Sequence, residues 1–532
     1  METFSVIMVI ACVPLLFMVI LSLNYSKSKS KCPPGPKSMP FISNILWLLK
    51  STLEIETSVR LLCSKYGKII TLHIASHPVI FITSRSLAHQ ALVQNGTVFA
   101  DRPKPFLTAK ILTCNQHNIS SACYGSTWRL LRKNLTAQIL HPSRTKEFSH
   151  TRKWVLDMLL NRLKNSAVTS NKGVVRVLDH FRFAMFSLLM FMCFGDKLNE
   201  SQISEAEAVQ RRLLTSFNRF LILDICRLPL SRIVFCRRWN EFFDLQKKRE
   251  ELLLPHIRAR KKMLEPLADR HSPKVSIQAK TLSDGISQLA TSYVDTLFTL
   301  EVPEEGNGTA AKRKLTEEEL VNLCSEFLNA GTDTTTTAMQ WIMANLIKYP
   351  HIQAKLFEEI KGVVGENCTE VKKDELSKMP YLKAVVLEGL RRHPPSHFVL
   401  PHALTEEVEL GGYTLPKNAI INFMVAEMGL DPALWESPMQ FKPERFLSIQ
   451  GTEEFDVTGR REIKMMPFGA GRRMCPAIGL AILHLQYFVV NLVWNFKWEA
   501  IEGDEIDLSE KQEFSIVMKH PLHAHISPKI TI

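Results

Sequence analysis

The first apolar run of the chain covers residues 3–23, TFSVIMVIACVPLLFMVILSL, and contains no charged side chain. Its length matches the roughly 20 residues that an α-helix needs to cross the hydrocarbon core of a bilayer. Only Glu2 precedes the run, whereas three lysines follow it within one short segment, and basic residues favour the cytosolic side. The pattern predicts a permanent, single-pass signal anchor for residues 1–25, with the rest of the chain in the cytosol.

The next segment, residues 26–40, is rich in lysine and proline and includes CPPGPKSMP. Because proline fixes φ and cannot continue a helix, this segment is predicted to be a stiff hinge. It precedes one large domain, residues 41–532. No internal repeat and no second membrane span are predicted in that domain.

The first half of this domain shows two different patterns of apolar residues. Residues 66–83 are β-branched and aromatic, with a break near a proline, which predicts two strands of a small sheet. From about residue 125 to 265, apolar residues recur every three to four positions among many Lys and Arg, which predicts amphipathic helices. Residues 266–313 are polar and are predicted to form a mobile surface connection.

A long helix is predicted to start at Thr316, where Thr316 and Glu319 form a capping-box pattern, and to run to Pro350. Its centre, AGTDTTTT at 330–337, is made of residues that are poor in helix interiors. One interpretation is a functional kink, where side chains or water enter the hydrogen-bond ladder. The other is that the threonines are simply tolerated on that face of the helix.

Composition narrows the function classes. The chain of 532 residues is 45% hydrophobic and 22% charged, as in ordinary packed proteins. Its 66 basic and 53 acidic residues give a net charge of +13, which is typical of ordinary solvated surface charge, of an anionic membrane surface as partner or of an acidic protein partner. The basic residues are spread along the chain without a zinc finger or basic arm, so no nucleic-acid partner is expected. The 11 cysteines form no C-x-x-C motif and are too dilute for a disulfide scaffold.

One cysteine needs a separate explanation. The sequence MMPFGAGRRMCPAIGLA at 465–481 places Cys475 in a loop of glycines, arginines and a proline, directly before an apolar helical stretch. A thiolate that binds a metal is stabilised by cations and N–H groups, which Arg472, Arg473 and the loop backbone can supply. Gly471 allows the backbone to turn tightly. On its own this pattern does not assign a role to the cysteine, since a lone cysteine is usually a small buried apolar residue.

Four groups of residues, taken in their order and spacing, are similar to the cytochrome P450 family of haem-thiolate monooxygenases. They are WRLLR at 128–132, AGTDTT at 330–335, EGLR at 388–391 with PERF at 443–446, and FGAGRRMC at 468–475. The last group matches the family pattern F-x-x-G-x-R-x-C-x-G, with Ala477 in place of the final glycine. The resemblance covers essentially the whole chain. It implies a mainly α fold with small β-sheets, a helix-rich triangular prism preceded by an N-terminal transmembrane helix.

The resemblance also implies a cofactor and the residues that bind it. Cys475 is expected to be the axial thiolate ligand of the iron of haem b. The other cofactor-binding residues implied are Trp128, Arg132, His402, Phe468, Gly471 and Arg473. Within this set, Trp128, Arg132 and Arg473 are expected at the haem propionates. His402 stands where many relatives have an arginine for the same role.

Two further groups follow from the resemblance. Glu388, Arg391 and Arg445 resemble the structural charge triad behind the haem. Asp333 and Thr334 match the acid–alcohol pair of the long helix, which is expected to deliver protons during oxygen activation. Retention of this pair argues for oxygen chemistry.

Substrate contacts are expected from four segments, residues 114–123, 325–330, 395–400 and 514–516, which are largely apolar or small and imply a lipophilic ligand. The individual candidates are Ser325, Ala330, Val399, Ser515 and Ile516. HFVLPHAL and the C-terminal stretch are most similar to the eighty-nine-A subfamily of plant microsomal members. The implied substrate classes are specialised metabolites (terpenoid, alkaloid or phenolic) and chlorophyll-derived tetrapyrroles.

The expected activity is therefore that of a monooxygenase in the endoplasmic reticulum membrane. It would use O2 and NADPH electrons delivered by cytochrome P450 reductase, with cytochrome b5 as a further candidate partner. Two alternatives stay open: a haem-thiolate isomerase or dehydratase that needs no oxygen, and a non-catalytic haem protein.

Overall fold

The computed structural model describes residues 32–36, 51–74, 77–170, 173–224, 230–268, 291–304, 311–447 and 455–529. The predicted membrane anchor lies outside the described residues, as do residues 26–31 and 37–40 of the predicted hinge.

Helices make up most of the described chain. They are α1 Thr52–Tyr66, α2 Arg85–His89, α3 Leu107–Leu112, α4 Ser126–Gln138, α5 Pro142–Glu147, α6 Ser149–Thr169, α7 Val177–Phe194, α8 Glu200–Phe220, α9 Leu230–Val234, α10 Cys236–Ala268, α11 Tyr293–Phe298, α12 Glu317–Lys348, α13 Pro350–Val364, α14 Lys373–Leu376, α15 Pro380–Arg392, α16 Val425–Gly429 and α17 Ile478–Asn495. The amphipathic helices predicted between residues 125 and 265 are confirmed by α4 to α10.

The strands are short. They are β1 Ile69–Ile74, β2 His77–Ile82, β3 Val174–Arg176, β4 Glu301–Pro303, β5 Lys312–Lys314, β6 His402–Ala403, β7 Val408–Leu410, β8 Tyr413–Leu415, β9 Ile420–Phe423, β10 Phe496–Glu499, β11 Glu510–Gln512, β12 Ile516–Met518 and β13 His523–Pro528. The two strands predicted within residues 66–83 are β1 and β2, which pair in antiparallel register with Ile69 opposite Ile82. The predicted fold class, helices with small sheets, is confirmed.

The chain divides into two compact units. The first consists of the described residues within Met1–Pro103, Ser396–Glu436 and Asp456–Met474. The second consists of Lys104–Pro395, Ser437–Phe455 and Cys475–Ile532.

The first unit is built around a four-stranded sheet with the strand order β1-β2-β9-β6. Strands β2 and β9 are parallel, whereas the β1–β2 and β9–β6 pairs are antiparallel. Apolar side chains such as Ile80, Ile421 and Phe423 are fully buried on this sheet and form its core. The described part of the hinge lies against the sheet, because the carbonyl of Pro34 accepts a hydrogen bond of 3.0 Å from the amide of Thr71.

The second unit is organised by α12. The predicted capping box is present at its start: the hydroxyl of Thr316 accepts from the amide of Glu319 at 3.2 Å, and the Glu319 carboxylate accepts from the amide of Thr316 at 2.8 Å. The chain is α-helical throughout Glu317–Lys348, including the threonine-rich centre. α7 packs closely on this centre, because a Cβ built at Gly331 would lie 2.7 Å from a methyl group of Leu189.

The prediction of a surface connection over residues 266–313 is wrong for residues 291–304. There α11 buries Tyr293, Val294 and Leu297, and Arg260 makes a two-bond ion pair with Asp295, 2.8 Å at each contact. The polar composition of the segment did not indicate this helix, because its few apolar residues are covered only by tertiary packing.

Two helices among the described residues, α7 and α17, are long and apolar enough to cross a bilayer. The most apolar window of each is largely buried within the protein, 83% for α7 and 72% for α17. Both are therefore core helices of the protein.

Candidate active site

The loop before Cys475 makes a turn that only glycine fits. Gly471 has φ +70°, a left-handed conformation, and a Cβ built on it would lie 2.0 Å from the carbonyl oxygen of Leu92. The amide of Met474 donates to the Gly471 carbonyl at 3.2 Å and closes a 3-10 turn. Phe468 is half-buried just ahead of this turn.

Cys475 follows the turn and precedes α17. Burial raises the pKa of its thiol, while the backbone N–H of Ala477 and the cation of Arg132 act in the opposite direction. Pro476 carries no N–H, so the amide that reaches the sulfur comes from the residue after it. The cation beside the sulfur is Arg132, whereas Arg472 and Arg473 were expected there from the sequence.

Arg132 and Trp128 lie one turn apart on α4, where the i,i+4 spacing places them on one face. The guanidinium of Arg132 sits 5.5 Å from the centre of the Trp128 ring, and Trp128 is buried. Burial lowers the pKa of Arg132, while the Cys475 side chain raises it. A cation and an aromatic N–H are thus placed in the same unit as the thiol.

A second basic group lies in the first unit. His402 on β6 is buried, and its Nδ1 lies 2.6 Å from the carbonyl of Phe99. Burial and the cations of Arg102 and Arg473 together lower the pKa of His402 to about 3. The Nε of Arg473 donates to the carbonyl of Ala100 at 2.7 Å. The cations of Arg102 and Arg473 therefore lie near His402, which is uncharged at neutral pH, and Arg102 had not been singled out in the sequence.

These residues fit a haem. The N–H of Ala477 and the Arg132 cation favour the Cys475 anion, which suits a metal cation, because a coordinated thiol is deprotonated outright. The cations of Arg102 and Arg473 suit carboxylates such as the propionates. The close approach of the Gly471 backbone to the Leu92 carbonyl fixes the turn that precedes Cys475.

The three residues of the expected charge triad are brought together by α15 and the 3-10 turn Pro443–Phe446. Glu388 receives two bonds from Arg391, at 2.6 and 2.8 Å, and one from the Nε of Arg445 at 3.1 Å. The side chains of Glu388 and Arg391 have no exposed surface, and that of Arg445 has 7%. A buried carboxylate with two cationic partners fixes the position of this segment.

Asp333 and Thr334 lie side by side at the centre of α12. The Thr334 hydroxyl donates to the carbonyl of Ala330 at 2.7 Å, so a side chain does enter the helical ladder there. Asp333 is buried and accepts a hydrogen bond of 2.5 Å from the hydroxyl of Ser515. Its other carboxylate oxygen lies 3.7 Å from a guanidinium nitrogen of Arg211.

Arg211 on α8 is a site residue that the sequence did not indicate, because it is one of two adjacent arginines on an amphipathic helix. It also pairs with Glu513, beside the C-terminal hairpin of β11 and β12. Together with Arg182 and Glu207 it lines a small cavity that reaches Asp333. The carboxylate of Asp333 thus has charged side chains near it.

The five candidate substrate contacts differ in what they present. Ala330 is exposed and Val399 half-buried, so both offer surface to a ligand. Ser325 is buried and donates to Gln210 at 2.8 Å. The hydroxyl of Ser515 is used by Asp333. Buried Ile516 uses its backbone, donating to Pro395 and accepting from Trp341. These three positions favour a supporting role over direct substrate contact.

Known proteins are similar to this chain in sequence and in fold. The fold and the residues around Cys475 define a haem-thiolate protein, and the sequence model of Cytochrome P450 matches residues 33–526. The chain is 48% identical to Cytochrome P450 89A9 of Arabidopsis thaliana, over 97% of each sequence. It is 30% identical to isoflavone 3'-hydroxylase of Medicago truncatula, over 95% of this chain and 94% of that protein. A zebra fish cytochrome P450 solved with progesterone superposes with a TM-score of 0.70 at 22% identity, over 90% of this chain and all of that one.

The chain therefore belongs to the cytochrome P450 family and is a cytochrome P450 monooxygenase. Its similarity to the eighty-nine-A subfamily is confirmed.

Proposed function

We propose that the protein is a membrane-anchored, haem-thiolate monooxygenase that inserts one oxygen atom from O2 into a lipophilic plant metabolite. The observation that carries this proposal is the half-buried Cys475 thiol, which follows a glycine turn and lies in reach of the Ala477 N–H and the Arg132 cation. When bound there, haem supplies the activation of oxygen. Cys475 would be its axial ligand, and Trp128, Arg132 and the basic group around His402 would hold its carboxylates.

Asp333 and Thr334 are assigned to proton delivery. Successive residues of an α-helix point about 100° apart, so Asp333 and Thr334 face different surroundings. Asp333 faces the charged side chains around Arg211, whereas Thr334 shares the less buried face that carries Ala330. A carboxylate among charged side chains can take up protons, and a hydroxyl on the other side can present them to the reacting oxygen. This pair favours an oxygen-dependent reaction over an isomerase or dehydratase.

The substrate is proposed to be lipophilic and of limited charge, because Ala330 and Val399, the reachable candidates, are apolar. One relative is named for hydroxylating an isoflavone at its 3' position, which makes a phenolic substrate one class to test. Terpenoids, alkaloids and chlorophyll-derived tetrapyrroles are the others. Comparison of metabolites between plants with and without the gene would identify the class.

The electrons are proposed to come from NADPH through cytochrome P450 reductase, with cytochrome b5 as a second donor. The net charge of +13 suits an acidic flavoprotein partner. Residues 3–23 are assigned to a single membrane span in the endoplasmic reticulum, with the catalytic part on the cytosolic side.

The test uses microsomes that contain the full chain and a reductase. Wild-type protein should show the reduced carbon monoxide band of a haem-thiolate, and turnover should require both O2 and NADPH. Thr334→Ala should keep the band and NADPH consumption but release hydrogen peroxide in place of product. The neighbouring Thr335→Ala, which changes a buried residue on a different face, serves as control and should stay coupled. Absence of the band in wild type, or turnover without oxygen, would overturn the proposal.

A further inference from the structure

One face of α12 is less buried than the rest. Between residues 320 and 347 this helix is buried throughout, except at Glu326, Asn329, Ala330, Gly331 and Thr334. Glu326, Ala330 and Thr334 are spaced four residues apart and therefore lie along a single face. This face runs from the proposed proton-delivery residue toward the start of the helix. At a rise of 1.5 Å per residue, Glu326 lies about 12 Å from Thr334 along the axis.

Glu326 closes the far end of this face. Its two carboxylate oxygens accept backbone N–H bonds from Ile119, at 2.9 Å, and Ser120, at 2.7 Å. Both amides belong to residues 114–121, here called the clamp loop, which precedes α4. Bonds between a carboxylate and N–H groups are charge-assisted and roughly twice as strong as neutral ones. Burial raises the pKa of Glu326, and the bonds from Ser120 and Ile119 oppose that change.

The clamp loop is held in a conformation that its sequence does not favour. Cys114, Asn115 and Gln116 have φ values of 48°, 59° and 64°, three successive left-handed residues without a glycine. Such conformations persist only where surrounding contacts impose them. His117 lies 2.6 Å from the Glu319 carboxylate, so α12 holds the loop at two separate turns, at Glu319 and at Glu326.

We propose that Glu326 is a positioning residue that fixes the clamp loop as the end wall of the substrate cavity. The loop then limits how far a lipophilic substrate extends along α12 from Thr334. This inference rests on the proposed function, because it takes the Ala330 and Thr334 face as the wall of the haem pocket. It assigns a specificity role to a carboxylate that does not itself touch the substrate.

Two measurements test the proposal on the full-length holoprotein. The first measurement is hydrogen exchange of the Ile119 and Ser120 amides, which shows whether Glu326 holds the clamp loop. Glu326→Ala should accelerate their exchange at least about tenfold, because each amide loses its bond to a charged acceptor. Glu326→Gln, which keeps one carbonyl acceptor, should fall between Glu326→Ala and wild type. Glu317→Gln, which changes an exposed residue of the same helix paired with Arg258, is the matched control and should leave exchange unchanged.

The second measurement is the binding of 1-alkylimidazoles with alkyl chains of four to twelve carbons, monitored by the shift of the Soret band. It tests whether the clamp loop limits the length of the substrate cavity. Each methylene buried in the wild-type cavity should tighten binding about fourfold until the chain reaches the loop, where the gain should stop. In Glu326→Ala the gain should continue to longer chains, and in Glu317→Gln the limit should stay in place.

Superimposable chain-length profiles for Glu326→Ala and wild type would overturn the inference, as would unchanged amide exchange. The proposed function would survive either result, provided that wild type shows the carbon monoxide band and an imidazole-induced Soret shift. Absence of both signals in wild type would instead reject the proposed function.

Discussion

Ser515 and Asp333 are joined by a hydrogen bond of 2.5 Å although 182 residues of chain separate them. The Ser515 hydroxyl also lies 2.8 Å from that of Thr337, one turn further along α12. With Arg211 beside the other carboxylate oxygen, Asp333 has a partner at each oxygen. The C-terminal hairpin and α8 therefore set the direction in which the proposed proton donor points.

Ser515→Ala tests this relationship. The change removes one bond to a charged group, worth about 1.5–3 kcal/mol, and should let the Asp333 carboxylate rotate. We expect several-fold less product per NADPH and a matching rise in hydrogen peroxide, with the carbon monoxide band unchanged. Ser509→Ala removes a similar serine–carboxylate bond, to exposed Asp507, and should stay coupled. Equal coupling in the two variants would show that Ser515 does not orient Asp333.

The charge triad provides a second prediction. Glu388→Ala leaves the buried cations of Arg391 and Arg445 without their carboxylate, which should cost about 3–5 kcal/mol and reduce haem content. The matched variant is Glu444→Ala, because Glu444 forms an exposed pair with Lys355 at 2.7 Å. That pair is worth at most about 1 kcal/mol. The ratio of haem to protein and the midpoint of unfolding measure both effects, and similar losses in the two variants would contradict the prediction.

Local signals in the sequence predicted the parts of the molecule that local physics determines. The capping box of Thr316 and Glu319 marked the start of α12 within one residue, because cap bonds form between close neighbours. The turn before Cys475 could be located because Gly471 occupies a conformation that other residues rarely adopt.

Tertiary contacts account for what the sequence did not indicate. Arg211 and Ser515 acquire their roles only when α8 and the C-terminal hairpin meet α12, and neither belongs to a motif. Glu326 is one of several glutamates in EEELVNLCSEFLN, and nothing in that run distinguishes it before the clamp loop folds against it. The effect of Arg132 on the Cys475 thiol was not predicted for the same reason: Arg132 lies far away in sequence but close in space.

Gly471→Ala should abolish the haem-thiolate signal. The left-handed φ alone costs about 1–2 kcal/mol for a residue with a side chain. The added Cβ would also lie 2.0 Å from the Leu92 carbonyl, so the backbone of the loop must move. Gly412 has φ +82° and open space around its Cβ position, so Gly412→Ala carries the strain without the clash. We expect the carbon monoxide band to vanish only in Gly471→Ala; its retention there would show that the loop tolerates displacement.

His484 on α17 should make the protein sensitive to mild acid. The side chain is buried, and its ring centre lies 6.2 Å from that of Phe488. Burial is the larger cause, and the nearby cation of Arg152 the smaller one, of the fall in its pKa from 6.5 to about 3. Below pH 6.5 the unfolded chain takes up a proton at this position and the folded chain does not. His484 therefore does not reduce the free energy of unfolding above pH 6.5. Below pH 6.5 the free energy of unfolding falls by about 1.4 kcal/mol for each pH unit, down to about pH 3.

His484→Gln removes this titration while keeping a polar side chain of similar length. Between pH 7.5 and 5.5, wild type should lose about 1.4 kcal/mol more than the variant, measured as the free energy of unfolding in urea. Between pH 7.5 and 8.5 the two proteins should change in parallel, because the histidine is neutral in both states there. Parallel curves down to pH 5.5 would mean that the folded protein protonates His484 as readily as the unfolded chain, and that α17 admits a charge at its centre.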